Sequence, residues 1–172
     1  MAIRSILVAP DPRLKAASRD VERVDGTIQR LIDDMFDSMY EAKGIGLAAV
    51  QIGEPLRVIV MDLARKEGEQ EPLVFINPRI IAASEEVTVC EEGCLSVPEI
   101  WEDVERPARV TAEHLDRDGK LVTLEADGML ATCLQHEMDH LEGVLFLDHL
   151  SKLKRSIALR KLAKAKRLAA AD

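Results

Sequence analysis

Residues 136–140, His-Glu-Met-Asp-His, constrain this chain of 172 residues more than any other segment. In an α-helix, with about 3.6 residues per turn, His136 and His140 project from the same face and can bind one metal ion. Glu137 then lies beside that ion, where a carboxylate can take a proton from water. The segment therefore predicts a helix that carries a hydrolytic metal site. Such a site needs a third protein ligand.

The residues after this motif offer no clear third ligand. One class of metallopeptidases continues the motif with a glycine and a further histidine; here Gly143 is in place, but Phe146 stands where the histidine should be. Another class uses a downstream glutamate, and the chain has none after Glu142. His149 lies beyond a helix end predicted at Gly143, so its direction does not follow from spacing. The third ligand is therefore expected upstream.

Cys94 is the best upstream candidate. Two imidazoles and one thiolate suit borderline divalent ions and leave a fourth tetrahedral position open for water. The alternative adds Cys90 to give a closed Cys2His2 structural zinc site. However, 41 residues separate Cys94 from His136, against about a dozen in zinc fingers. Residues four apart in a strand are also about 13 Å from each other, so the open site is favoured.

Three motifs in order point to one family. They are Gly-Ile-Gly-Leu-Ala-Ala-Val-Gln at residues 44–51, Glu-Gly-Cys-Leu-Ser at 92–96 and Gln-His-Glu-Met-Asp-His at 135–140. Together they resemble the signature motifs of the peptide deformylases, and the likeness runs from near Asp11 to the start of a basic tail. The first motif also matches a dinucleotide-binding fingerprint, but that fingerprint needs a strand before it and a helix after it. Helical periodicity precedes Gly44 and a strand-like run follows it.

The resemblance implies a metal-dependent hydrolase that removes the formyl group from the N-terminal formylmethionine of newly made polypeptides and releases formate. It implies that Cys94, His136 and His140 hold the ion, with Fe2+ suggested by the family and Zn2+, Ni2+ or Co2+ also suited to these donors. Glu137 then serves as the general base. The side-chain amide of Gln51 and the backbone N–H of Leu95 stabilise the developing oxyanion. A general HExxH metallopeptidase and a Cys2His2 structural-zinc binding protein remain the alternatives.

The same resemblance implies a groove for the formylmethionyl peptide, with Gly46 in one wall. The positions that match the methionine pocket include Ile45, Thr132 and Cys133. Thr132 departs from the aliphatic residue familiar there, and Cys133 is as readily explained as a small core thiol. Trp101 stands where some relatives have arginine. It either offers an aromatic surface to the later residues of the substrate or only packs locally.

The length and composition set the outer limits. A chain of this size can bury about 70% of its unfolded surface without a partner, so we expect a monomer with one catalytic domain at residues 1–150. No apolar run approaches the roughly 18 residues of a membrane span, and the first five residues lead into charged sequence without a signal-peptide core. We therefore expect a cytoplasmic protein with reduced thiols that binds neither DNA nor a membrane.

The coarse pattern predicts an α+β fold, with antiparallel or mixed sheets packed around the central metal-binding helix and one further helix at each end. Expected helices cover residues 26–43 and 129–141. Expected strands lie near 57–62, 73–77, 79–83 and 86–91, followed by a hairpin of 107–115 with 120–126 around the turn dipeptide Asp118-Gly119. His114 beside this turn is expected to be an ordinary solvated residue.

The last segment, residues 151–172, reads as a basic helix within the same domain. It carries a charge of +7, which leaves −15 for residues 1–150 out of the total of −8. Leu150, Leu153 and Ile157 keep helical spacing and are expected to form its docking edge. Such a helix can lie on an anionic membrane or along RNA. Family resemblance favours the ribosome, and the alternative is a solvated helix that keeps the protein soluble.

Overall fold

Three α-helices and seven β-strands make up the computed structural model, which describes residues 2–64 and 66–171. The helices are α1 (Gly26–Glu41), α2 (Gly128–Leu141) and α3 (Lys152–Ala171). The strands are β1 (Gly46–Ala48), β2 (Val58–Asp62), β3 (Pro72–Ala83), β4 (Val87–Cys94), β5 (Val97–Pro107), β6 (Arg109–Leu115) and β7 (Leu121–Asp127). Short 3-10 turns lie at Pro12–Lys15, Ala49–Ile52 and Phe146–His149.

The strands form two antiparallel sheets. The larger has the order β1-β2-β3-β6-β7, and the smaller is the β4–β5 hairpin. The alternating residues of β2 explain how the large sheet is covered. Val58 and Val60 pack into the core with α1, whereas Ile59 and Met61 pack into the core with α2. Because successive side chains of a strand point to opposite faces, α1 and α2 lie on opposite sides of this sheet.

A third apolar cluster joins the hairpin to the C-terminal part of the chain. It contains Val97, Ile100 and Val104 of β5 together with residues 145–147 and two residues of α3. The β4–β5 hairpin forms a separate sheet and is held beside α2 by the contacts of Glu92 with His136 and of Arg106 with Asp139. This placement brings the end of β4 to the metal-binding motif.

The predicted α+β class, with sheets around the HExxH helix and a helix at each end, is confirmed, and the described ladders are antiparallel. Helix α2 and the β6–β7 hairpin match their predicted ranges closely. Two strand predictions were wrong. The runs 73–77 and 79–83 are one strand, β3, whose register with β6 shifts between Ile76 and Arg79 and again between Ile80 and Ala82. Strand β5 was not predicted, because its charged residues and two prolines hide the alternation.

Two predictions of exposure were also wrong. His114 is buried, with its ring tilted by 54° against that of Phe75 at a centroid distance of 4.5 Å. Helix α3 docks through Ala158 and Leu162; of the predicted edge, Leu150 packs against the same cluster, while Leu153 and Ile157 face solvent. Both pairs are spaced by four residues, so periodicity alone could not choose between the two faces.

Within residues 2–64 and 66–171, none of the helices has the length and apolar character needed to cross a bilayer.

Candidate active site

Helix α2 carries the HExxH motif through the middle of the molecule. Its end is fixed at Gly143, which adopts a left-handed φ of 73°. A Cβ atom at Gly143 would lie 2.4 Å from the carbonyl oxygen of Lys15. Glycine is therefore required both by the backbone conformation and by the close approach of another segment. The predicted helix end at Gly143 is confirmed.

Cys94, His136 and His140 come together at one point. One potential ligand atom from each lies within 4.8 Å of the others, and the Sγ of Cys94 is 3.4 Å from Nε2 of His140. Both histidines are buried and Cys94 is half-buried. Cys90 is not a member of this group, which is the one such group among residues 2–64 and 66–171. The structure therefore brings together the three donors predicted for an open site.

A buried charge network holds His136 in place. Its Nδ1 lies 2.9 Å from Oε1 of Glu92, and Glu92 in turn accepts two hydrogen bonds from the guanidinium of Arg106, at 2.7 and 2.9 Å. Arg106 also donates to Asp139 at 2.9 Å, and Asp139 lies 2.8 Å from Nε2 of His149. A carboxylate on one imidazole nitrogen orients the ring and leaves the other nitrogen for a metal.

Glu137 is buried beside this group with an unsatisfied oxygen. Its Oε2 has no hydrogen-bond partner in the described part of the chain. A Cβ atom at Gly46 would lie 2.8 Å from Oε1 of Glu137 and 3.0 Å from Sγ of Cys133. Strand β1 therefore approaches the Glu137 carboxylate so closely that only glycine, which has no side chain, fits at residue 46 without a shift. A buried polar oxygen without a partner is costly.

Gln51 is positioned by three contacts. Its Oε1 accepts a hydrogen bond from the backbone N–H of Ala48 at 2.9 Å, and its Nε2 donates to Oγ of Ser96 at 3.0 Å. The same Nε2 lies 3.6 Å from Sγ of Cys94. The amide orientation is fixed because only the oxygen can accept from Ala48. One amide hydrogen faces Ser96 and leaves the second directed toward the metal-binding group.

A groove of about 510 Å³ opens in front of these residues. Its lining includes every predicted substrate residue and, in addition, Cys90 and Met129. The predicted residues in the lining are Ile45, Gly46, Gln51, Cys94, Leu95, Trp101, Thr132, Cys133, His136 and Glu137. Thr132 and Cys133 are buried in its wall, whereas Ile45 and Trp101 are largely exposed at its rim. His140 lies behind this surface.

The electrostatics of the site follow from its burial. Burial raises the pKa of Glu137 to about 7, against the opposing charge of His136. Burial also lowers the pKa of His140 well below its ordinary value. For Glu92, burial acts to raise the pKa, but the hydrogen bonds from His136 and Arg106 outweigh it and hold the pKa below the ordinary value. The pKa of Glu92 therefore stays below neutral pH, and that of Glu137 lies near it.

The donor set fits a divalent ion. The Nδ1 of His140 is buried without a partner in the described residues, so this ring is not held by a hydrogen-bond network of its own. Two imidazoles and one thiolate suit Fe2+, Zn2+, Ni2+ or Co2+ rather than Mg2+ or Ca2+, which prefer oxygen ligands. An ion bound by these three groups would satisfy the buried cluster and leave room toward the groove.

The family model described as "Polypeptide deformylase" matches residues 3–156. The chain belongs to the polypeptide deformylase family. The peptide deformylase of Nitrobacter hamburgensis is 56% identical over 174 residues, covering 99% of both chains. Among solved structures, the peptide deformylase of Legionella pneumophila has a TM-score of 0.91 at 50% identity and covers 99% of both chains. That of Ehrlichia chaffeensis has a TM-score of 0.93 at 41% identity, covering 98% of this chain and 99% of its own.

As a deformylase, the chain is a metal-dependent hydrolase that removes the N-formyl group from newly made polypeptides and releases formate. This confirms the function predicted from the three motifs. Neither the general metallopeptidase nor the Cys2His2 zinc protein is supported, since both the family and the structural relatives are deformylases.

Several residues of the site were missed by sequence reasoning. Glu92 could have been found, because it precedes Cys94 by two residues within the second motif. Arg106 and Asp139 carry no spacing signal that joins them to Glu92. Cys90 and Met129 line the groove, and the sequence assigned neither a place there.

Proposed function

We propose that Glu137 is the general base of the deformylation, acting beside a divalent ion held by Cys94, His136 and His140. The single observation that carries this proposal is the buried, unpartnered Oε2 of Glu137 next to three converging donors. Bound there, a divalent ion lowers the pKa of water toward neutrality and stabilises negative charge on oxygen. Fe2+ is the ion we propose; metal analysis of protein purified without oxygen tests this choice.

Glu137 then carries out both proton transfers of the reaction. Its carboxylate takes a proton from the attacking water as the new bond to the formyl carbon forms. The carbon–nitrogen bond breaks as the same carboxyl returns the proton to the leaving nitrogen. Formate and a free amino terminus result, so every atom of the water and the amide is accounted for. A pKa near 7 suits a group that must both accept and return a proton.

Two hydrogen-bond donors of the chain stabilise the oxyanion. Gln51 contributes the amide hydrogen that does not face Ser96, and Leu95 contributes its backbone N–H directly after Cys94. The Leu95 side chain packs close to Gly44, where a Cβ atom would lie 2.6 Å from Cδ1 of Leu95. This packing holds the turn after β4 against the loop before β1. Removing one such donor typically costs about 3 to 4 kcal/mol of the barrier.

The methionine side chain of the substrate is proposed to enter the inner part of the groove. Thr132 and Cys133 form its buried wall, with Cys90 and Met129 beside them and Ile45 at the entrance. This lining is mostly apolar, as a thioether side chain requires. The formyl group then lies at Glu137 and Gln51, and the following residues run outward along the groove.

The test of the general base is a formate assay with a short formyl-Met peptide. We expect Glu137→Gln, which keeps the shape of the side chain, to lower kcat by about 10² to 10⁴ while metal content stays unchanged. An unformylated peptide of the same sequence should not be cut at internal bonds. Activity that survives the substitution, in protein with full metal content, would remove Glu137 from this role.

We also propose that α3 binds the ribosome and that the protein acts in the cytoplasm, where formylated chains emerge. All eight Lys and Arg side chains of α3 are exposed. In the described part of the chain, two of them make ion pairs, Lys154 with Glu102 and Arg155 with Asp148. The expected result is salt-sensitive co-sedimentation with ribosomes that is lost on truncation after Leu150. Equal binding of the truncated protein would exclude the helix as the binding element.

A further inference from the structure

Phe146 occupies the place at which one class of metallopeptidases has a third histidine after the HExxH motif. A phenyl ring cannot bind a metal ion, yet this side chain is almost fully buried, with 1% of its surface exposed. Its ring stacks on the imidazole of His136, with a centroid distance of 6.0 Å and an interplanar angle of 28°. Phe146 therefore packs on a proposed metal ligand although it supplies no donor atom.

The short 3-10 turn that begins with Phe146 is held in place by contacts on both of its sides. The backbone N–H of Leu145 donates to Oδ2 of Asp148 at 2.9 Å. At the end of the turn, Nε2 of His149 lies 2.8 Å from Oδ2 of Asp139 on α2. The Phe146 side chain also belongs to the apolar cluster that joins the β4–β5 hairpin to α3. The phenyl ring is thus a fixed surface next to α2.

The hydrogen bond from Glu92 does not by itself fix the plane of the His136 ring. The χ2 torsion of histidine has a broad preference, and an sp² oxygen accepts hydrogen bonds over a broad range of directions. A flat ring against the face of the imidazole restricts rotation about χ2. The ring of His140 restricts it further, at a centroid distance of 5.2 Å and an angle of 71°. The direction of Nε2 of His136 therefore depends on ring contacts as well as on Glu92.

We propose that Phe146 is a positioning residue of the metal site. Its ring fixes the plane of the His136 imidazole, so that Nε2 of His136 is aimed at the point shared with Cys94 and His140. The proposal rests on the metal site of the proposed function and adds a residue that supports it from behind. Phe146 is not among the described residues that line the groove. Its loss should change how firmly the ion is held and leave KM for the substrate unchanged.

The experiment uses Phe146→Leu in protein loaded with Co2+, because leucine keeps an apolar side chain and removes the flat ring. A stacked pair contributes a factor of about two to ten beyond the area it buries. Co2+ should therefore dissociate into an excess of chelator faster by the same factor. The visible absorption bands of Co2+ should also shift, since they report the geometry of its ligands. KM for a formyl-Met peptide should not change.

Phe36→Leu is the matched control. The ring of Phe36 is also buried and stacks on Tyr40 at 5.9 Å and 21°, but Tyr40 is not a member of the described donor group. Urea unfolding should show a loss of stability in both variants. Only Phe146→Leu should alter the dissociation rate and the absorption bands of Co2+.

Phe146→Met, a second apolar replacement without a ring, should behave as Phe146→Leu does and serves if that variant does not fold. Co2+ dissociation and absorption that are unchanged in a folded Phe146 variant, or changed equally in Phe36→Leu, would overturn the proposal and leave the metal site intact. Failure of the unsubstituted protein to bind Co2+ would instead contradict the metal site of the proposed function.

Discussion

The inner and outer halves of the groove differ in how their side chains are held. The inner half is lined by Glu92, His136 and Glu137, with His140 behind them; all four are buried, and a network of charges and close backbone approaches holds them. The outer half consists of residues such as Ile45 and Trp101, which are largely exposed. The chemistry therefore depends on groups with little freedom, and recognition of the later peptide residues depends on groups in water. Substitutions should have large effects inside and small ones outside.

The largest effect is expected for Arg106→Met, which tests the inner half directly. Arg106 is 5% exposed and links Glu92 to Asp139. Its loss leaves Glu92 as an uncompensated buried anion, which typically costs about 3 to 5 kcal/mol of the free energy of unfolding. Urea unfolding measures this change. Metal affinity, measured separately, should fall by about 10- to 100-fold because the carboxylate on His136 is no longer oriented.

Arg109→Met is the matched control for this prediction. Arg109 pairs with Glu86 at 2.7 Å, but both side chains are exposed. The loss of such a pair costs about 1 kcal/mol or less, and metal affinity should not change. If both arginine variants lose the same stability and both keep their metal, the network around His136 has no special role and the comparison fails.

The next effect in size is expected for Gly46→Ala. The added Cβ would lie 2.8 Å from Oε1 of Glu137, so the carboxylate must move. A displacement of about 1 Å at a reacting group can cost about 10² in kcat/KM. Gly26→Ala is the control, since its Cβ would meet only a side-chain atom at 3.6 Å. Unchanged kcat/KM in Gly46→Ala would show that the close approach of β1 is not needed for the position of Glu137.

The sequence predicted the residues that face the groove better than the residues that support them, for a physical reason. His136, Glu137 and His140 share a helix, so their spacing alone fixes their relative directions. Cys94 joins them across 41 residues of chain, and only its chemistry and the family motif identified it. Arg106 lies on β5. Because the sequence of this segment did not predict a strand, the contact of Arg106 with Glu92 could not be derived from the sequence.

The fold shows the same division. The hairpin of β6 with β7 and the end of α2 at Gly143 followed from turn residues that act locally. The burial of His114 depends on Phe75 from another strand, and the docking face of α3 depends on which of two apolar edges meets the hairpin. Both are tertiary contacts, and periodicity contains no information about the partner.

A smaller effect is expected for Thr132→Val, at the boundary between the two halves. Thr132 is buried in the wall of the groove proposed to hold methionine. Replacing its hydroxyl by a methyl group of nearly the same size should raise kcat/KM for a formyl-Met peptide by up to about fivefold, which is about 1 kcal/mol. Thr123→Val, on the exposed face of β7, should have no effect. A decrease in Thr132→Val would show that the hydroxyl contributes to binding.

The smallest effect, on metal content, is expected for Cys90→Ser. This variant tests whether a residue can line the groove without binding the ion. Cys90 lines the groove but is not part of the donor group, because its place four residues before Cys94 in β4 puts it about 13 Å away along the strand. Metal content, measured by elemental analysis, should therefore be unchanged. Cys94→Ser is the matched comparison and should lose most of its metal, since a neutral hydroxyl replaces a thiolate ligand. Loss of metal in both variants would make Cys90 a fourth ligand, and a closed site would leave no open position for water beside Glu137.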